Sequence, residues 1–297
     1  MSTTLIVFSK DRAMQLDSLL RSVRDHCMGI DRVAVVARTS SDLHRSAYLA
    51  LAKHFDDVDC ILEDTAGLGL ALSCAVGAGA VKPHGEPEAQ VTRFPLHDHL
   101  AFAVDDMLFY RPSDYRFAVR ALEAADGFVW SWRLGHLWPA HDPYWVRAPW
   151  LPHADYGYLF HTDGSLYRTN EWTCLLDRCF PAWTTMQCTP NDIEGTVAAR
   201  KAEWIADAGP HLGPPQPTCI TWQVNRVQTK YGSPAAEIPE THIDVLAAAY
   251  LAGKRVDNER LYTRLQRDAL SFNPPGTRPT HIYACEEASR FYASTIR

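Results

Sequence analysis

The sequence predicts an α/β fold built on a mostly parallel sheet flanked by helices, and three observations predict it. Short apolar runs rich in β-formers, such as Thr4-Leu5-Ile6-Val7-Phe8, show no polar alternation, as strands buried on both faces do. Between them lie segments whose apolar residues recur at three- and four-residue steps, the spacing of one buried helix face. The two kinds alternate from the N-terminus onward, which is the pattern of parallel strands joined by crossover helices.

Taken in order, the first strand ends at Ser9-Lys10-Asp11-Arg12. Met14, Leu16, Leu19, Leu20 and Val23 then mark a helix that Gly29 stops. Arg32 to Ala37 reads as a second strand, Leu43 to Phe55 as a helix, Val58 to Leu62 as a strand, and the Ala-rich Leu68 to Val81 as a further helix. Pro83 to Pro95 mixes Gly, Pro and charge without apolar period and reads as a loop. His99 to Val104 restores an apolar strand with Asp105-Asp106 at its carboxyl end. Ser113 or Asp114 is placed to cap a helix reaching Ala125, and Phe128 to Trp132 follows as a strand. From there to Tyr158 tryptophans crowd among His, Pro and Tyr, a composition closer to a binding surface than to a regular core. Asn191 to Ala208 reads as a helix, Gly209 to Pro217 as a Pro-rich loop, and Thr218 to Val227 as strand-like. Two last helices are expected near His242 to Ala252 and Asn258 to Leu270.

With 297 residues, 46% of them hydrophobic, the chain can bury a large core, so one main domain with a C-terminal extension is expected. A net charge of -6, with Lys and Arg scattered singly, argues against a sequence-independent grip on nucleic acid or anionic lipid. A small molecule or a glycan fits better. The eight cysteines form no CxxC pair and no zinc-like spacing, and are expected to be reduced thiols. No basic segment followed by an apolar stretch opens the chain, and no window approaches the roughly 18 apolar residues of a transmembrane helix. A cytoplasmic protein without a transmembrane segment is therefore expected.

In open α/β sheets ligands sit beyond the carboxyl ends of the strands, so Asp11, Arg12, Asp105 and Asp106 should converge on one crevice. Paired carboxylates there can hold a hard divalent cation, magnesium or manganese, or accept ribose hydroxyls. The plain alternative for Asp105-Asp106 is an ordinary strand-to-loop turn, and for Ser9 to Arg12 a helix cap with Asp11 favoured by the helix dipole. Arg12 and Arg168 each offer a planar fork for phosphate oxygens, or equally a surface salt bridge. Trp132, Trp138, Trp145 and Trp150 are candidates for a sugar-stacking acceptor platform, against the reading of large aromatics as core. His136, His141, His153 and His161 surround that stretch without a metal-ligand spacing.

The run Val7-Phe8-Ser9-Lys10-Asp11-Arg12-Ala13-Met14-Gln15-Leu16-Asp17-Ser18-Leu19-Leu20-Arg21-Ser22 resembles the opening of GT-A-type glycosyltransferases, in particular a bacterial family-2-like group. Ala101 to Asp106 resembles the strand that carries the DxD acids in that fold, and the blocks Asp163 to Arg168 and Pro190 to Gly195 resemble two later ones. The resemblance spans roughly residues 4 to 230. It implies a GT-A-like fold and transfer of a sugar from a nucleotide-diphosphate-sugar donor to an acceptor hydroxyl of a glycan or another molecule. The donor would lie against Ser9, Lys10, Asp11, Arg12, Arg38, Asp105, Asp106 and Arg168, with manganese or magnesium on Asp106 and Asp105. Where the pattern calls for a third acid, this chain has Met107, and a thioether is a poor ligand for magnesium. An inverting transfer needs a general base, for which Glu194 is the first candidate and Asp163 the second. Asn191 to Glu194 also fits a capping box, and Thr162-Asp163-Gly164 an ordinary turn.

The expected organisation is a catalytic domain over 1–230, with the donor site in 1–132 and the acceptor segment in 133–230, and a helical extension over 231–297 packed on it. One rival is a sugar nucleotidyltransferase, which would carry a Gly-rich basic loop after the first strand where this chain has Ser9-Lys10-Asp11-Arg12. The other is a non-catalytic sugar- or nucleotide-binding module of the same fold.

Overall fold

The computed structural model describes residues 1–63, 67–77, 80–81, 92–93, 96–133, 160–181, 183, 188–225, 227, 238–268, 281–282 and 286–297. The N-terminal half alternates as expected: β1 (Thr3–Lys10), α1 (Ala13–His26), β2 (Cys27–Met28), β3 (Arg32–Arg38), α2 (Asp42–His54), β4 (Val58–Leu62) and α3 (Gly67–Ala75). After two short paired strands, β5 (Ala80–Val81) and β6 (Thr92–Arg93), come β7 (His99–Val104), β8 (Met107–Phe109), β9 (Ser113–Asp114), α4 (Tyr115–Ala125) and β10 (Val129–Ser131). The remainder holds β11 (Ser165–Arg168), α5 (Thr169–Cys179), α6 (Pro190–Ala199), β12 (His211–Leu212), β13 (Cys219–Trp222), α7 (Ile243–Leu251), α8 (Asn258–Asp268), β14 (His281–Ile282) and α9 (Glu286–Ser294).

Seven strands form the central sheet in the order β12-β10-β11-β7-β1-β3-β4. β1 pairs in parallel with β3 and β7, and β3 with β4, while β11 runs antiparallel to both of its neighbours, β7 and β10. β10 therefore points the same way as β7, and β12 is parallel to β10. The predicted mostly parallel sheet flanked by helices is what the chain forms.

The unbroken apolar character of these strands follows from burial on both faces. Leu5 and Val7 of β1 belong to a core with α1, α2, α4 and α7, whereas Ile6 and Phe8 belong to a second core with α3, α5 and α6. Strands β3 and β7 divide their residues the same way. On the second face Phe102 stacks on Phe8 at 6.1 Å and on Trp172 at 5.0 Å between ring centroids. Truncating such a ring to alanine costs about 3–5 kcal/mol, because the packed neighbours relax only partly. Leu246, Tyr250, Leu261, Leu265 and Tyr292 of the C-terminal helices share the first core with α1.

Local chemistry sets the boundaries. Asp114 caps α4 by accepting from Phe117 N at 3.1 Å, and Asp126 closes the helix in the left-handed region at φ 48°. The expected helix from Leu68 to Val81 is shorter: Gly77 takes φ 84°, which only glycine adopts without strain, and Ala80–Val81 is a strand instead. The helix expected over Asn191 to Ala208 ends at Ala199 and continues as two short 3-10 turns, Lys201–Glu203 and Ile205–Asp207. Among the described residues of the strand-like run only Cys219–Trp222 is a strand, paired antiparallel with β8. Among the described residues no helix is long and apolar enough to cross a membrane.

Candidate functional site

At the carboxyl edge of the sheet, Asp105 and Asp106 follow β7, and Ser9 to Arg12 follow the neighbouring strand β1. The two loops are tied together. Asp105 Oδ2 accepts from the Ser9 hydroxyl and from Lys10 N, both at 2.9 Å. Arg12 donates from Nη1 to Asp105 Oδ1 at 3.0 Å and to Asp106 Oδ2 at 2.7 Å. Its Nε and Nη2 are taken by the side-chain oxygen and the carbonyl of Asn225, at 2.8 and 2.6 Å. Arg12, Asp105 and Asp106 are all buried.

Burial alone would lower the Arg12 pKa, but the two facing aspartates outweigh it and hold the guanidinium charged well above its usual range. Asp105 is pushed up to about 6 by burial, against the opposing pull of Arg12. Asp11, at φ 56°, leads the chain out of β1, and its carboxylate accepts from Ser40 N at 2.7 Å in the loop after β3. It therefore joins two loops and does not cap α1, which starts at Ala13 without a side-chain cap. Tyr48 of α2 contacts the Ser9 hydroxyl and accepts from Arg12 N at 3.2 Å. Lys10 Nζ donates to Val227 O at 3.0 Å, and exposed Arg38 at the end of β3 lies 3.8 Å from Glu63. Burial raises the Glu63 pKa.

The expected divalent cation does not fit these acids as they stand. Arg12 already supplies the positive charge between the two carboxylates, and three of their four oxygens are engaged by Arg12, Ser9 and Lys10 N. Met107, standing where a third acid was expected, is buried and turns its sulfur to Val104 N at 3.5 Å. Among the described residues no group of three or more His, Cys, Asp or Glu could hold a metal ion.

A second set of acids lies on the same edge. Gly164 N donates to Phe102 O at 2.9 Å and Ser165 pairs with Phe102, so Asp163 comes level with the end of the antiparallel neighbour β7. Gly164 is required there: it sits at φ 65°, and a Cβ would meet Met107 Cε at 2.9 Å and Cys219 Sγ at 3.0 Å. Asp163 pairs with Arg133 at 2.6 Å and with His161 Nδ1 at 3.3 Å. Glu194 Oε1 accepts from Thr162 N at 2.5 Å and from the Thr162 hydroxyl at 2.6 Å. Burial, reinforced by the charge of Asp163, lifts the Glu194 pKa to about 7. Buried His211 is pushed the other way, to about 3, by burial and by the charges of His161 and Arg133.

The capping box of α6 lies two residues earlier than the sequence suggested. Thr189 and Asp192 cap each other's backbone N–H groups, which leaves Glu194 to bond Thr162.

Two expected site residues stand elsewhere. Arg168 pairs across the sheet with His99, at the opposite end of β7 from Asp105, and its guanidinium is held by Glu123, Glu171, Leu122 O and Gly127 O. A fork used up at the far edge cannot serve a phosphate at the carboxyl edge. Trp132 is buried against Tyr115 and Trp130, at 4.8 and 5.4 Å, as a core aromatic and not an acceptor platform. Trp138, Trp145 and Trp150, with His136, His141 and His153, lie outside the described residues. Tyr48, Arg133 and Asn225 carry no site signal in the sequence, and Thr162 figures there only as part of the Thr162-Asp163-Gly164 turn.

No protein-family model matches the chain, and no curated protein matches it. Among solved structures it is similar to TarS of S. aureus, at 12% identity and a TM-score of 0.43, over 90% of this chain and 40% of TarS, so it spans well under half of that protein's length. The TarS fragment 1-349 in complex with UDP-GlcNAc is similar at 13% identity and a TM-score of 0.46, over 92% of this chain and 73% of the fragment. The mannosyltransferase PcManGT from Pyrobaculum calidifontis, in complex with GDP-Man and Mn2+, is similar at 17% identity and a TM-score of 0.42, over 94% of this chain and 76% of that one.

Proposed function

We propose that the chain is a GT-A-type glycosyltransferase that moves a sugar from a nucleotide-diphosphate-sugar donor to an acceptor hydroxyl with inversion. The observation that carries this reading is Glu194, a carboxyl group with a pKa raised to about 7, fixed by Thr162 on the sheet edge that also bears Ser9 to Arg12 and Asp105-Asp106. A general base works best with a pKa near the operating pH. In this mechanism Glu194 takes the proton of the acceptor hydroxyl, whose oxygen attacks the anomeric carbon as the bond to the diphosphate breaks. Asp163, paired with Arg133, keeps negative charge beside Glu194 and so raises its basicity.

The donor lies over the loops after β1 and β3, where Lys10 and Arg38 supply positive charge to the departing diphosphate. Arg12, Asp105 and Asp106 act from beneath, holding the Ser9-Lys10 loop in shape. The division into a catalytic domain over 1–230 and a helical extension over 231–297 belongs to the same proposal.

The test measures nucleoside diphosphate release from a panel of nucleotide sugars. Glu194→Gln should lower kcat by about 100- to 10,000-fold while the donor still raises the melting temperature. Equal turnover by the variant and the wild type would remove Glu194 from the chemistry. The engagement of Asp105 and Asp106 by Arg12 favours one other reading, a non-catalytic binding module, for which donor binding without turnover in the wild type would be the sign.

A further inference from the structure

Helices α8 and α9 line an open groove of about 880 Å³ whose Phe291 stacks on Trp222 of β13. Arg260, Thr263, Arg264 and Arg267 line it from α8, at the i, i+3, i+4 and i+7 positions that form one helix face. Arg290 and Phe291 of α9 and the more C-terminal Arg297 complete the basic side. Five arginines thus meet in one cleft of a chain whose net charge is -6.

Acids answer part of this charge, and Arg264 has a partner of its own. Arg297 pairs with Asp257, and Arg290 with Glu286 at 2.5 Å. Arg260 spends Nη1 on Ser294 O at 2.8 Å, which fastens the end of α9 to α8, and its guanidinium lies 5.7 Å from the centre of the Phe291 ring. Arg267 makes no ion pair among the described residues. Asp257, Glu259 and Glu287 also line the groove and set a limit on how much negative charge enters.

We propose that this groove is a second ligand site, for a soluble anion bearing two or more phosphate groups. Among the described residues the basic lining is arginine throughout, and the guanidinium fork matches phosphate oxygens two at a time. Successive arginines one turn apart along α8 fit phosphates carried on one molecule better than a single small anion. A cleft walled by two helices suits a soluble ligand that enters it, whereas a flat bilayer would meet only its rim.

Isothermal titration of the full chain with sodium tripolyphosphate tests this. Arg264→Gln/Arg267→Gln should weaken binding about tenfold or more, and Glu287→Gln, which removes an opposing charge, should tighten it at least about twofold. Both act at the surface, and circular dichroism of each variant checks that the helices are kept. No wild-type binding at millimolar tripolyphosphate overturns the proposal, as does equal affinity in the double variant. So does a loss caused instead by Lys10→Gln/Arg38→Gln, which would put the anion at the sheet edge. Binding to phosphatidylglycerol vesicles without binding to tripolyphosphate would also overturn it, in favour of a membrane surface.

Discussion

Arg12 donates to Asp106 at 2.7 Å from the same Nη1 atom that reaches Asp105 at 3.0 Å. A single guanidinium thus bridges two neighbouring carboxylates away from water. Removing one partner of a buried ion pair strands the remaining charge and costs about 3–5 kcal/mol. Arg12→Gln should therefore lower the unfolding free energy in urea by about that amount. Removing one of the two stranded negative charges with Asp106→Asn in the same chain should recover part of it, and no recovery would mean that Arg12 acts mainly through Asn225.

The same pairing sets an expectation for metal. Because a built-in cation already occupies the space between the acids, chelation with EDTA should leave the donor-induced rise in melting temperature unchanged, and added manganese should alter it by less than about 1 °C. A donor that binds only with a divalent cation would show that Arg12 swings away from Asp105 and Asp106 on ligand binding.

What the sequence showed and what it hid divide along physical lines. The strand and helix order was legible because burial on two faces writes itself as unbroken apolar runs, as in Ile6 and Val7 pointing to opposite cores. The convergence of Ser9 to Arg12 with Asp105-Asp106 was legible too, since parallel strands bring their carboxyl ends to one edge. The pairings were not. Whether Arg12 faces phosphate or Asp106, and whether Arg168 points to the carboxyl edge or to Glu123, depends on distances across 94 and 45 residues of chain. The capping register of α6 was ambiguous for a local reason, as both Thr189 and Asn191 stand three residues before an acid.

Gly209 carries a stability prediction of a different kind. A Cβ there would fall 1.9 Å from the backbone oxygen of Asp126, which itself holds the left-handed end of α4 and cannot easily retreat. At Gly195, inside α6, a Cβ would meet nothing within 4 Å. Gly209→Ala should destabilise by more than about 2 kcal/mol, and Gly195→Ala should be neutral or stabilise by up to about 1 kcal/mol through helix propensity. Chemical denaturation of the two variants side by side checks both signs.

The raised Glu194 carboxyl links stability to pH in a direction opposite to most acids. Its pKa is about 7 in the folded chain against an ordinary 4.5, so between these values the folded state holds a proton that the unfolded state has lost. Stability then falls as pH rises through this window, and the loss is complete above about 7, where the folded protein must carry the half-buried charge. Asp105, pushed up to about 6 from 3.8, adds to the same trend at lower pH. Glutamine mimics the protonated acid and still accepts from Thr162. Glu194→Gln should therefore melt higher than the wild type at pH 8, and the difference should shrink toward nothing near pH 4.5. Turnover, which needs the deprotonated base, should rise in the wild type through the same interval. Stability and activity would thus run in opposite directions with pH, and parallel profiles of melting temperature and nucleoside diphosphate release test whether one carboxyl governs both.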